Sequence, residues 1–242
     1  MAPGIDASYP ERVKSYGQYC PMAIACEIVG ERWTLLVLRE LVSGRRRFND
    51  IQRGVPRMSP SLLARRLRTL VDAGLVARRR TDAGIEYVLT DSGTELAPVV
   101  EGLAVWSKTW LPATLSRIAP DPDLIVWDMH RRFDVSRMPE KRTVLRFEFT
   151  DQPRRKRYRW IMGDTSGVEL CIKDPGYEVD LYVETDSRTI TGVWYGDIAL
   201  KRAIAEGRIR LHGPRRLCAL FPSWLLLNEL AAVPRKFPLS EN

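Results

Sequence analysis

Residues 56–80 read PRMSPSLLARRLRTLVDAGLVARRR, seven arginines against one acid, Asp72. So much like charge beside a run of leucines needs a structural reason. On a helical wheel over residues 61–73, Leu63, Leu67, Leu70 and Val71 fall at i, i+4, i+7 and i+8 and form one stripe for burial. Arg65, Arg66, Arg68 and Thr69 lie mostly away from it. Ser59 is placed to cap the helix, Pro60 suits its first position and Gly74 ends it. The spacing predicts a helix held down by leucine with arginine facing outward. Arg68 sits nearer the buried edge, where an ion pair with Asp72 four residues on is the alternative to exposure.

Outward from this helix the pattern stays helical on the N-terminal side. PMAIACEIVG (21–30) and ERWTLLVLRELVSG (31–44) each carry apolar residues at helical spacing and end on glycine. RFNDIQRGV (47–55) predicts a short helix that reaches the arginine-rich one through a brief turn. Two helices so joined, the second basic on its outer face, make a helix-turn-helix. On the C-terminal side, two β-prone runs flank TDAG (81–84) and predict a basic hairpin, which makes the unit winged. A long helix follows over 91–118, starting near Asp91 or Ser92, with Leu96, Val99, Val100, Leu103, Val105, Trp106 and Trp110 as its apolar stripe.

The charge is localised. Residues 45–80 hold eleven arginines and two aspartates, a local excess of nine positive charges against +8 for all 242 residues. A field of that kind suits a phosphate backbone, although a solvated polar face is the ordinary fate of an arginine and stays open for Arg45–Arg47 above all. The remaining composition, 45% hydrophobic and 28% charged, is that of a folded globular chain with room for two cores. Four cysteines form no CxxC pair and only His130 and His212 stand beside them, so zinc-site spacing is lacking and no metal or cofactor is expected. No apolar run has the length of a signal-peptide core or a membrane span, so a reduced, cytoplasmic protein without membrane attachment is expected.

The stretch YCPMAIACEIVGERWTLLVLRELVSGRRRFNDIQRGVPRMSPSLLARRLRTLVDAGLVARRR, followed by EYVLTDSGTELAPVV, resembles the HxlR-type winged-helix transcriptional regulators, relatives of the MarR type. The resemblance covers about residues 17–111. It is carried by Cys20-Pro21, Gly30, Arg32, Trp33, Arg47-Phe48, Met58-Ser59, Leu63, Leu67, Leu70, Gly74-Leu75-Val76, Tyr87, Leu89-Thr90 and Gly93. It implies a homodimer on a pseudo-palindromic operator in double-stranded DNA, with one recognition helix per subunit in the major groove and the wing on the minor groove or backbone. By position it makes Ser59, Ser61, Arg65 and Arg66 groove-facing, Arg78, Arg79 and Arg80 wing contacts, and Arg47 a further DNA contact. The N-terminal segment and the helix bearing Trp106 would form the dimer seam. Some members sense oxidants through the cysteine matching Cys20. Here the alternative is a small semi-buried residue at that seam, and Cys26, on the apolar side of its helix, is expected to be inert.

A boundary is expected in ATLSRIAPDPDL (113–124), where Pro120 and Pro122 bracket Asp121. The domain reading is a tail over 1–16, a DNA-binding and dimerisation domain over 17–115, a linker over 116–122, a second domain over 123–232 and a tail over 233–242. In the second domain TVLRFEFTD, KRYRWIMGD, GVELCIKD, EVDLYVETD and RTITGVWYGD alternate with period two, which predicts an antiparallel sheet of about five strands. A helix, a short strand and a last helix follow. Gly196, Asp197, Leu200, Ala203-Ile204, Gly207, Ile209, Leu211 and Gly213 resemble the sterol carrier protein type 2 domains, clearest over about 177–226. That resemblance implies a leading helix at DLIVWDMHRRF (123–133) and an apolar tunnel between sheet and helices. Trp127, Phe147, Trp160, Leu170, Leu181, Trp194 and Leu220 are its candidate lining, and plain core packing is their alternative. Arg154, Arg155, Lys156, Arg157 and Arg159 are either an extra anion-binding patch or a solvated tip guarding an edge strand.

The expected fold class is thus α+β: a winged helix-turn-helix domain, then a sterol-carrier-like domain. The expected function is that of a dimeric DNA-binding repressor controlled by an apolar ligand. The alternatives are a constitutive regulator whose second domain only builds the dimer, or a carrier of small apolar molecules. No nucleophile elbow, phosphate loop or metal cluster is present, so no enzymatic activity is expected.

Overall fold

The computed structural model describes residues 15–111 and 120–237. Expectations for 1–14, for 112–119, which hold the expected end of the long helix and of the first domain and part of the linker, and for 238–242 lie outside the described residues. The chain divides between Ala104 and Val105 into two compact units.

In the first unit, α1 (Pro21–Val29), α2 (Thr34–Val42), α3 (Phe48–Gly54) and α4 (Pro60–Asp72) precede a hairpin of β1 (Val76–Thr81) and β2 (Gly84–Leu89). Leu63, Leu67 and Leu70 of α4 are fully buried against Val37, Leu38 and Leu41 of α2 and Ile51 of α3, while Val71 is only partly buried. Each such leucine contributes roughly 1.5–3 kcal/mol of burial. Ser59 caps α4, its Oγ accepting from the Leu62 amide at 3.3 Å, and Gly74 leaves the helix at φ +71°. The long helix expected from Asp91 is broken. A single helical turn at Asp91–Thr94 is followed by α5 (Ala97–Trp110), within which the division between units falls. Pro98 explains the break: it has no amide for the Thr94 carbonyl, and its ring crowds that carbonyl.

A polar network around Glu40 is buried in the first unit. Glu40, on α2, is 1% exposed and pairs with Arg45, which is 7% exposed. Arg39 donates to Glu40 Oε1 through Nε at 2.9 Å and Nη2 at 2.6 Å, and to the Gly54 carbonyl at 3.1 Å. A Cβ at Gly54 would stand 1.9 Å from Glu40 Oε2, so any side chain there would displace the Glu40 carboxylate from its pairing. Arg45 is therefore neither a solvated loop residue nor a DNA contact.

The second unit has helices on one face of a five-stranded sheet. β3 (Thr143–Phe149), β4 (Tyr158–Asp164), β5 (Gly167–Cys171), β6 (Leu181–Thr185) and β7 (Ile209–His212) lie in the order β5-β4-β3-β6-β7. The sheet is mixed, not antiparallel. β3 and β6 are parallel, with Leu145 opposite Leu181 and Phe147 opposite Val183. α6 (Pro122–Met129), α7 (Ser187–Trp194), α8 (Leu200–Ala205) and α9 (Arg215–Trp224) complete the unit.

RTITGVWYGD, read above as a strand, is α7. Asp186 caps it, accepting from the Thr189 amide at 2.8 Å and the Thr189 hydroxyl at 2.6 Å. Ile190, Val193 and Trp194, at i, i+3 and i+4, are fully buried. Its β-branched residues favour a strand locally, but the cap and this spacing override them.

The segment from residue 233, read as a tail, is anchored in this unit. Arg235 donates to both carboxylate oxygens of Asp197, at 2.7 and 3.0 Å, and to the Lys108 carbonyl at 3.1 Å. The buried Lys108 ammonium donates to the Leu230 carbonyl at 2.6 Å and to the Tyr195 carbonyl. Burial pulls the Lys108 pKa below the ordinary lysine value, and Asp197 partly opposes that.

The Glu40 network makes a stability prediction. Glu40→Ala removes the carboxylate that pairs with the buried Arg45 guanidinium and with Arg39, and breaking a buried ion pair of this kind costs about 3–5 kcal/mol. Denaturant unfolding followed in the first unit will show the loss. A cost under about 1 kcal/mol would mean that Arg45 reaches water once Glu40 is gone.

Candidate nucleic-acid interface

The hairpin and α4 bring most of the candidate arginines onto exposed surface of the first unit. β1 and β2 pair in one register, with Arg78 opposite Tyr87, Arg79 opposite Glu86 and Arg80 opposite Ile85. The chain before α3 joins their edge. The Tyr87 amide donates to the Arg46 carbonyl at 2.7 Å, and Arg47 bridges to Glu86. Arg46 and Arg47 therefore lie beside the hairpin, exposed as Arg78, Arg79 and Arg80 are. Side chains alternate across a strand, so Arg78 and Arg80 share one face and Arg79 lies on the other, across from Glu86. The three wing arginines are not equivalent, a distinction that counting charges does not reveal.

On α4, Ser59, Ser61 and Arg65 are exposed. The Ser59 and Ser61 hydroxyls lie 3.2 Å apart over the helix N-terminus, where free amides and the helix dipole favour a phosphate. Arg57, in the turn just before, is also exposed beside them, a position that the helical wheel over residues 61–73 does not reach. Arg68 is exposed, as the outward reading required. Arg66 departs from expectation. Its side chain is 11% exposed and held by Glu31 at 2.5 Å and the Arg32 carbonyl at 3.3 Å. It fixes α4 to the loop ahead of α2 and does not face outward. The partner, Glu31, is 35 residues away in sequence, beyond any helical-wheel argument.

A second exposed feature is apolar. Val99, Leu103, Trp106 and Trp110 follow one face of α5, with Trp106 53% and Trp110 47% exposed, and Tyr16, Tyr19 and Met22 are exposed near α1. Cys20 stands exposed at the N-cap of α1, its side chain making no capping bond.

The seven residues proposed to line a tunnel do not converge on one cavity. Phe147, Leu181 and Trp194 are fully buried in the main core of the second unit, and Leu170 and Leu220 pack against it. Trp160 lies on the opposite face of the sheet with Val144 and Met162. Trp127 is buried on α6, its ring 4.7 Å from that of His130. The basic run at 154–159 is largely neutralised locally: Lys156 pairs with Asp121 at 2.7 Å, Arg157 with Glu148 at 3.2 Å, and the buried Arg159 with Asp123. Among the described residues no cluster of three or more His, Cys, Asp or Glu is placed to hold a metal. No helix among them is long and apolar enough to cross a membrane.

A helix-turn-helix with its second helix basic outside, followed by an arginine-bearing hairpin, is the architecture of a winged-helix DNA-binding regulator. Residues 28–115 match the HxlR-like helix-turn-helix family. The HTH-type transcriptional regulator YvaP of Bacillus subtilis is 35% identical over 98 residues, which are 39% of this chain and 91% of that protein. The chain belongs to the HxlR-like helix-turn-helix family. The solved reduced form of the transcriptional regulator YodB from B. subtilis aligns at 30% identity over 38% of this chain and 93% of its own, with a TM-score of 0.34. The sec-alkylsulfatase Pisa1 from Pseudomonas sp. aligns at 18% identity over 48% of this chain and 17% of its own, with a TM-score of 0.35. A likeness at that identity and score assigns the second unit no activity.

The geometry separates two kinds of arginine. Arg65→Ala is expected to weaken operator binding by about 1–3 kcal/mol while changing random-duplex binding little. Arg78→Ala with Arg80→Ala should weaken both alike, as phosphate contacts do. Fluorescence anisotropy on the two duplexes reads the difference, and equal losses from all the variants would remove α4 from base readout.

Proposed function

We propose that the protein is a transcriptional repressor that acts in the cytoplasm as a homodimer on a pseudo-palindromic operator. The observation that carries this reading is the exposed basic surface of the first unit: Ser59, Ser61 and Arg65 in the first half of α4 and its cap, Arg78 and Arg80 on the hairpin, and Arg47 beside it. The apolar stripe of α5 supports dimerisation, because Trp106 and Trp110 are larger and more exposed than a lone subunit's surface needs. The second unit is proposed to be a sterol-carrier-like effector domain without catalytic activity, controlling the first by binding an apolar or amphipathic small molecule. Its five-stranded sheet with helices on one face supports that reading. A second mode of control, oxidation at Cys20, is favoured by the exposure of that thiol at a helix N-cap. It requires operator binding to change on treatment with peroxide or diamide.

A mobility shift on the protein's own upstream region, with and without an extract of apolar metabolites, tests the scheme. A specific complex released by the extract is expected. Binding that discriminates no duplex sequence contradicts the regulator reading. Trp106→Glu places a charge in the proposed seam and is expected to halve the mass seen by light scattering and to abolish the tight complex. Retention of the dimer would move the seam away from α5.

A further inference from the structure

The second unit carries a groove of about 610 Å³ that none of the seven tunnel candidates lines. α8, β7 and α9 form it. Its floor is apolar, with Ile204 from α8, Leu211 from β7, and Cys218 and Pro222 from α9. Its volume is that of a small-molecule site. Its charge is one-sided: Lys201, Arg210 and Arg215 line it and no acid does. Arg210 is partly offset by Glu184, 2.7 Å away on the neighbouring strand, which leaves Lys201 on α8 and Arg215 on α9 as the cations on either side. Neither the DNA surface nor the packed core accounts for cations on two elements around an apolar floor.

We propose that this groove binds a free single-chain anionic amphiphile, an alkyl carboxylate or sulfate, with the chain on the apolar floor and the anion between Lys201 and Arg215. An apolar floor attracts a chain in proportion to the area covered, and the cations then select the anion over a neutral or cationic head of equal length. The groove is open and shallow, but its volume is that of one small molecule and its two cations flank a single apolar floor, so the occupant proposed is a single molecule and not a lipid surface. The inference rests on the reading of the second unit as an effector domain, and gives that domain its site and ligand class.

Cys218 offers a direct readout, because its thiol lies in the groove, 3.6 Å from the Gly213 carbonyl to which it donates. Maleimide labelling of Cys218 in the full chain, followed by peptide mass spectrometry, is measured with dodecanoate, dodecyltrimethylammonium, dodecanol and acetate. The expected result is at least fivefold slower labelling with dodecanoate, little effect of the cation or of acetate, and weaker protection by dodecanol. Lys201→Glu with Arg215→Glu should abolish the preference for the anion. Ala219→Trp, at an exposed lining position, should fill the groove and lower dodecanoate affinity at least tenfold by calorimetry, with the fold kept. Equal protection by anion and cation, or by none, overturns the proposal. So does protection by anionic vesicles but not by monomeric dodecanoate. The mobility shift separates the two readings. Dodecanoate that binds the groove and leaves the operator complex intact upholds the site and removes ligand control. Release by dodecanol, without Cys218 protection by any amphiphile, upholds ligand control and removes the site.

Discussion

The first unit depends on how α4 is seated. Leu63, Leu67 and Leu70 lose all exposure against α2 and α3, and their register decides which side chains remain outside. A helix rotated by one residue would turn about 100° and put Arg66 or Arg68, depending on the direction, where the leucines now sit, and an unpaired guanidinium in the core is prohibitively costly. The leucines thus fix the direction of the arginines. The Arg66–Glu31 pair at one side and the Ser59 cap at the end hold the same orientation.

Charge is handled differently inside and outside. Arg45 is buried with Glu40, Arg39 ties that carboxylate to the Gly54 backbone, and Arg66 is spent on Glu31. These arginines maintain the angle between helices. Arg47, Arg57, Arg65, Arg68, Arg78 and Arg80 are left exposed just before α3, in the turn before α4, on α4 and on the hairpin. Exposed like charge repels itself, and a polyanion relieves the repulsion while releasing its own counterions. A cluster that burdens the isolated subunit is thereby turned to binding.

Helix spacing, caps and turn residues made α1 to α4, the hairpin and the seat of α4 legible in the sequence, because those elements are set by neighbours within a few residues. What sequence reading missed was set by distance or by competition. The Arg66–Glu31 and Arg45–Glu40 pairs depend on how helices meet. Pro98 was passed over inside a convincing apolar stripe. α7 looked like a strand because its β-branched residues mask a period of three and four, and only the Asp186 cap announces it. The parallel pairing of β3 with β6 is a matter of topology, which alternation cannot express. Apolar alternation marks a buried face and cannot tell a filled core from a hollow one, nor did it separate Trp160, on one face of the sheet, from Phe147 and Leu181 on the other. The groove beside β7 escaped notice because its cations are spread over three elements.

The central claim is that the exposed arginines of the first unit bind duplex DNA. The most direct test is the salt dependence of binding to an operator-bearing duplex and to a random one. The account predicts a steep linear fall of log K with log salt on both duplexes, with a slope of about −0.9 for each phosphate neutralised, and a tighter complex on the operator throughout. A slope near zero, or identical affinity for the two duplexes at every salt concentration, would contradict it.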